Sequence, residues 1–238
     1  MYRGNEGVRR IVFQRFMVVL VGAGFVLWIS PRSQAGFIDL GNSGWRASWD
    51  DQLDPVAQIV LSATGVDPTN NRVLIEKTAQ FTEPPVGGVF PSIDILFEQI
   101  APEAVRYIVI EDEIITNQTG EDWTDFHMEI LDNPGVVFDP ALTLASNGPA
   151  PIGFTINPFS QASFDNGNTL LNIWDGVVLD TFNWFPGGGI SNGELYIDAN
   201  PTGSTSFILR ETPTPEPGTL AMMALGFGAI RLQCRKRR

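Results

Sequence analysis

Cysteine is missing from residues 36–217, and histidine occurs there once, at His127. The only cysteine of the 238-residue chain, Cys234, lies within its last five positions. The body therefore has no disulfide, no thiolate metal site and no cysteine nucleophile. A Ser-His-Asp triad would have one imidazole to draw on, and no Gly-x-Ser-x-Gly elbow is present. Basic side chains are nearly as scarce. The body holds Arg46, Arg72, Lys77, Arg106 and Arg210 against 26 carboxylates, a net charge of −21. Such a surface repels nucleic acid and anionic lipid, and suits cations or neutral glycans. No internal repeat and no domain break are evident.

The missing cations are at the two ends. Arg3, Arg9, Arg10 and Arg15 precede or open an apolar run from Phe16 to Ile29, which Ser30-Pro31 ends. Ser33-Gln34-Ala35 then offers small residues where a signal peptidase reads. Residues 1–35 are a secretory signal peptide by this pattern, with cleavage after Ala35; an uncleaved anchor is the alternative. Arg9-Arg10 invites a twin-arginine reading, but Phe13 sits one place late for it.

At the other end, Thr219 to Ile230 is apolar. Twelve helical residues rise only ~18 Å, short of a ~30 Å hydrocarbon core. With Arg231 snorkelling, Gly218 to Cys234 reaches ~25 Å, the short edge of the spanning range. Arg235, Lys236, Arg237 and Arg238 then form a basic stop that stays cytoplasmic.

The order Pro215-Glu216-Pro217-Gly218, short apolar helix, arginine-rich end in "PEPGTLAMMALGFGAIRLQCRKRR" resembles a PEP-CTERM sorting signal. The resemblance covers residues 215–238. It implies recognition by exosortase, a membrane enzyme with a cysteine nucleophile, and processing near Pro215-Glu216-Pro217. It also implies passage through the inner membrane to the envelope or exopolysaccharide matrix of a Gram-negative bacterium, the setting of a biofilm. Tails of this kind also carry a name referring to ice-binding proteins, yet the body lacks the Thr-x-Thr arrays of a flat ice-binding face. Arg231 departs from the pattern by interrupting the apolar run.

Between the ends, short segments rich in β-branched and aromatic residues alternate with turn signals such as Asp67-Pro68, Asn133-Pro134-Gly135 and Asn166-Gly167. Ten or more strands without a disulfide predict an all-β, two-sheet, jelly-roll-like sandwich over 36–211. A signal helix and a short transmembrane helix flank it. "TPTPEP" (212–217) reads as a stiff Pro-rich linker, and Pro102–Val105 as one helical turn.

"IVIEDEIITNQTGEDWTDFHMEIL" predicts a hairpin turning at Gln118-Thr119-Gly120. Its register sets Ile108 opposite Ile130, Ile110 opposite Met128 and Ile114 opposite Thr124, with Phe126 on the same core face and Asp112 a misfit there. The other face sets Glu111 opposite His127, Glu113 opposite Asp125 and Val109 opposite Glu129. "NQTGEDWTDFHMEIL" also resembles a stretch common in PEP-CTERM proteins, which carries no known activity.

Three functional readings follow. In the first, the body is a structural or adhesive surface protein, sorted by exosortase after signal peptidase, and not an enzyme. In the second, it is a carbohydrate-binding module for exopolysaccharide, with Trp123 and Trp184 as stacking platforms. A secreted glycan-active hydrolase is the third, since 26 carboxylates offer many pairs. Glu111, Glu113, Asp125, His127 and Glu129 form a candidate cation site, for Ca²⁺ if ligation is all-oxygen and for Zn²⁺ or Mn²⁺ if the imidazole takes part. A solvated acidic face is the simpler account of the same five residues.

Overall fold

A computed structural model describes residues 36–50, 57–146, 151–188 and 193–215. The signal segment with Ala35, the apolar tail from Gly218 and the basic stop lie outside the described residues. Among the described residues no helix is long and apolar enough to cross a membrane.

The strands are β1 (Gly36–Asp39), β2 (Trp45–Trp49), β3 (Ala57–Asp67), β4 (Arg72–Phe81), β5 (Ile93–Gln99), β6 (Tyr107–Asn117), β7 (Trp123–Leu131), β8 (Val137–Phe138), β9 (Gln161–Asp165), β10 (Leu170–Trp174), β11 (Asn183–Trp184), β12 (Leu195–Asp198) and β13 (Ser206–Pro215). Among the described residues there is one helix, α1 (Pro140–Ala145), which follows β8. Its N-cap Asp139 accepts from the Leu142 amide at 2.9 Å, and a proline sits in its first turn. The helical turn expected at Pro102–Val105 is an irregular turn instead.

One sheet runs β1-β2-β5-β13-β7-β10-β9. The other runs β3-β4-β6-β12-β8, with β11 also on β6. The inner faces meet in one apolar core, and alternation along each strand builds it. On β4, Val73, Ile75, Ala79 and Phe81 point inward; on β13, Phe207 and Leu209 do. Aromatic rings join the layers: Phe81 meets Trp123 edge-on at 5.2 Å, and Phe126 meets Trp184 at 4.8 Å. The sandwich expected from the strand pattern is present. The β4–β6 pair is parallel, unlike a purely antiparallel jelly roll.

The structure departs from the sequence pattern at two places. First, β6 and β7 are not a hairpin: β6 lies in one sheet and β7 in the other. The turn chemistry was right, since Gly120 does take a positive φ of 81°. The partners were wrong, because both edges of β6 are already filled, by β4 on one side and by β12 and β11 on the other. The chain crosses between layers around Asn117, whose buried side chain donates to the carbonyls of Glu121 and Val178 and accepts from the Thr119 amide. Second, Thr212 to Pro215 are not linker. They continue β13 alongside β7, with Pro213 paired to Phe126 and buried. Proline is tolerated there because β5 stops opposite Glu211, so that edge of β13 has no ladder to donate to.

A bulge in β6 has the largest consequence. Ile75 pairs with Ile110 and Glu76 with Asp112, so Glu111 is an extra residue. Before it the even positions Ile108 and Ile110 face the core; after it the odd positions Glu113, Ile115 and Asn117 do. The bulge removes the misfit at Asp112, turns Ile114 out of the core and sends Glu113 inside.

Candidate functional site

The inward turn of Glu113 completes a charged cluster inside the apolar core. Lys77 on β4 is the register partner of Glu113 on β6. Glu211 on β13 approaches from the opposite sheet. The Lys77 Nζ lies 3.0 Å from Glu113 Oε1 and donates directly to Glu211 Oε2. The three side chains are at most 1% exposed. Ile75, Ala79, Ile115 and Leu209 flank them along their own strands, and Ile93 and Met128 sit beside Glu211 in the register. Glu113 Oε2 and Glu211 Oε1 lack a hydrogen-bond partner, and Glu113 Oε1 has none beyond its ion pair with Lys77.

Electrostatics follow from this setting. Burial pushes the Glu113 carboxyl up to about 8, and the negative charge of Glu211 adds to the rise, while Lys77 opposes both. Burial works against the Lys77 ammonium, but Glu113 and Glu211 outweigh it and the lysine is raised overall. With a proton on Glu113, the remaining Lys77–Glu211 ion pair leaves the cluster neutral in sum. An ion pair buried this way is a poor source of stability, because desolvation of both charges offsets their attraction. It does hold an amine, a carboxyl group and a proton carrier together, away from water.

Sequence reasoning missed Lys77 and Glu211, although period two marks both. In "RVLIEKTAQF", Lys77 shares a face with Val73, Ile75, Ala79 and Phe81; in "SFILRETPTP", Glu211 shares one with Phe207 and Leu209. Lys77 is also one of only two lysines in the chain.

The residues expected to bind a cation are divided between opposite outer faces and the interior. Asp125, His127 and Glu129 are half-buried on the outer face of the β13-β7-β10 region. There Asn172 donates to Asp165 at 2.6 Å, which aims its Oδ1 at the imidazole, and His127 Nδ1 donates to it at 2.7 Å. Glu129 pairs in register with Arg210. Glu111 lies on the other sheet and accepts from Thr64 Oγ1 at 2.9 Å, while Glu113 is in the core. The opposition of Glu113 to Asp125 and of Glu111 to His127 is thus overturned by the sheet assignment. Among the described residues no three metal-ligating side chains converge.

Trp123 and Trp184 are buried at 0% and 1% exposure, so neither offers a ring face to a sugar. Trp123 packs against Phe81 and Phe90, and Trp184 against Phe126 and Phe159. A shallow cavity of ≈ 350 Å³ is lined by Asn70, Arg72, Tyr107, Leu142 and Tyr196. Arg72 bonds both Glu194 and Tyr196 there, so its charge is already matched; burial and the Glu194 hydrogen bond push the Tyr196 phenol up to about 12.

Comparison with curated proteins and with solved structures returns no match. Residues 213–238 match the family model described as the PEP-CTERM protein-sorting motif. The match starts two residues after Glu211, inside β13, and runs to the last arginine. The strands before β13 lie outside it. The chain is therefore a protein that carries a PEP-CTERM sorting motif, which begins within the last strand of a β-sandwich.

Proposed function

We propose that this protein is exported by signal peptidase processing after Ala35, sorted by an exosortase, and displayed at the cell surface or in the extracellular matrix as a non-catalytic structural or adhesive β-sandwich. The sorting motif at 213–238 carries this reading. It supports passage through the inner membrane as an intermediate, with exosortase as the processing partner. The acidic body, net −21, is consistent with a matrix of neutral or cation-bridged glycans and with avoidance of anionic lipid once released. The burial of Trp123 and Trp184 leaves a carbohydrate-binding module without its expected stacking platforms, so the structural role is preferred.

The test separates sorting from folding. Pro215 ends β13, so Glu216 and Pro217 are the positions to change. Glu216→Ala with Pro217→Ala leaves the strand intact and is expected to hold the protein at the inner membrane, as read by fractionation and surface labelling. Unchanged surface display of the double variant would overturn the reading.

A further inference from the structure

The buried cluster has the parts of a condensation reaction, and this goes beyond the sorting reading. We propose that Lys77 and Glu211 become joined by an amide between Nζ and Cδ, formed inside the folded core with Glu113 as the proton carrier.

The groups are already assembled. Lys77 Nζ contacts the Glu211 carboxylate directly, and Glu113 Oε1 is 3.0 Å from the same nitrogen. Holding amine and carboxyl in contact replaces an encounter in solution by an intramolecular step. The surroundings favour uncharged species, since a buried ammonium and carboxylate have lost their hydration. Transfer of one proton from the ammonium to Glu211 makes the pair an amine and a carboxylic acid with no change in net charge. The Nζ lone pair then attacks Cδ. Glu113 accepts the second proton from nitrogen and delivers its own to the departing oxygen. The Cδ–O bond breaks with its electron pair, and water leaves. The products are one amide and one water, with Glu113 again protonated; nothing is oxidised or reduced and no cofactor takes part. Protonation of Glu113, which burial favours, is the state this shuttle needs.

The amide also accounts for groups that the ion pair leaves unsatisfied. Its carbonyl oxygen, the present Glu211 Oε1, is the natural acceptor for the Glu113 O–H. Its N–H can donate to the other Glu113 oxygen. Glu113 Oε2 and Glu211 Oε1 now lack a hydrogen bond, and Glu113 Oε1 has only its ion pair with Lys77; a buried polar group without a partner is costly.

The position of the link gives it a use. It would bridge the two sheets and close a loop between residues 134 apart in sequence, in a body with no cysteine to do so. Glu211 is on the strand that runs straight into the sorting motif. Tension applied through a C-terminal attachment would reach β13 first, and the amide would hold that strand to β4 on the facing sheet.

The experiment is mass spectrometry of the full chain as it is recovered from cells, denatured, reduced and digested with trypsin. In the linked protein Lys77 resists cleavage, and one branched peptide joins the segment starting at Val73 to the segment starting at Glu211. It is lighter by one water than the sum of its two arms. Lys77→Met and Glu211→Ala are expected to abolish the branch completely. Glu211→Gln is expected to retain it with loss of ammonia in place of water, and Glu113→Gln to slow its appearance at least tenfold. Free tryptic cleavage at Lys77 in wild-type chain that resisted protease before denaturation would overturn the proposal, needing no variant to fold. A water loss mapped to any other pair of residues would overturn it equally.

Discussion

Single side chains in this core are either well matched or deliberately awkward, and two of them make the contrast measurable. Phe126 is fully buried and touches Phe81, Trp123 and Trp184. Phe126→Ala is expected to cost ~3–5 kcal/mol, because the transfer term and the cavity term add at a site clamped by three rings. Equilibrium denaturation would show it as a lower midpoint with an unchanged slope. Glu113 is the awkward one. Its carboxyl is raised from 4.5 to about 8, chiefly by burial. A raised folded-state value means the native protein keeps a proton that the unfolded chain releases. Its contribution is fully present below pH 4.5 and is lost as pH rises through about 8. Wild type should therefore lose stability across that window, and Glu113→Gln, which mimics the protonated acid, should flatten this part of the profile. An amide would remove both the Lys77 charge that lowers Glu113 and the Glu211 charge that raises it; burial, the largest cause, remains, so the direction holds with or without the link. An identical pH slope in variant and wild type would show that Glu113 is not the group responsible.

At the scale of elements, β13 decides where the domain ends. Composition places Thr212 to Pro215 in a linker, yet Pro213 is buried and pairs with Phe126 on β7. Ending the chain after Glu211 should cost on the order of 2 kcal/mol through lost ladder bonds and the uncovered rings beneath. Ending it after Pro215 should leave the melting midpoint at that of the longer chain. Equal midpoints for the two truncations would return 212–215 to linker. The β6 bulge belongs to the same scale. Periodicity read "VRYIVIEDEIIT" as one unbroken alternation, which strands Asp112 on the core face. That conflict was the only local trace of the extra residue at Glu111. Nothing local could show which strands would flank β6, because turn residues fix the tightness of a connection and not the sheet its next strand joins.

For the whole molecule, the division between sequence and tertiary structure has a physical basis. The address at the C-terminus was legible because it is linear: Pro-Glu-Pro, apolar run and basic end act in order along the chain, and the match at 213–238 agrees with that reading. The sandwich was legible because alternation of inward and outward residues is a property of each strand by itself. The absence of a disulfide in the body followed from counting. The buried cluster was not legible as a cluster. Lys77, Glu113 and Glu211 lie on three strands drawn from two sheets, and Glu113 reaches the interior only because a bulge elsewhere in its strand reverses the alternation. The acidic face imagined around His127 failed for the same reason, since strands adjacent in sequence went to opposite layers. The sequence settled what is local, namely strand content, end signals and charge. Only the tertiary structure decided which charges meet, because meeting depends on sheet partners chosen by the competition of every strand for an edge.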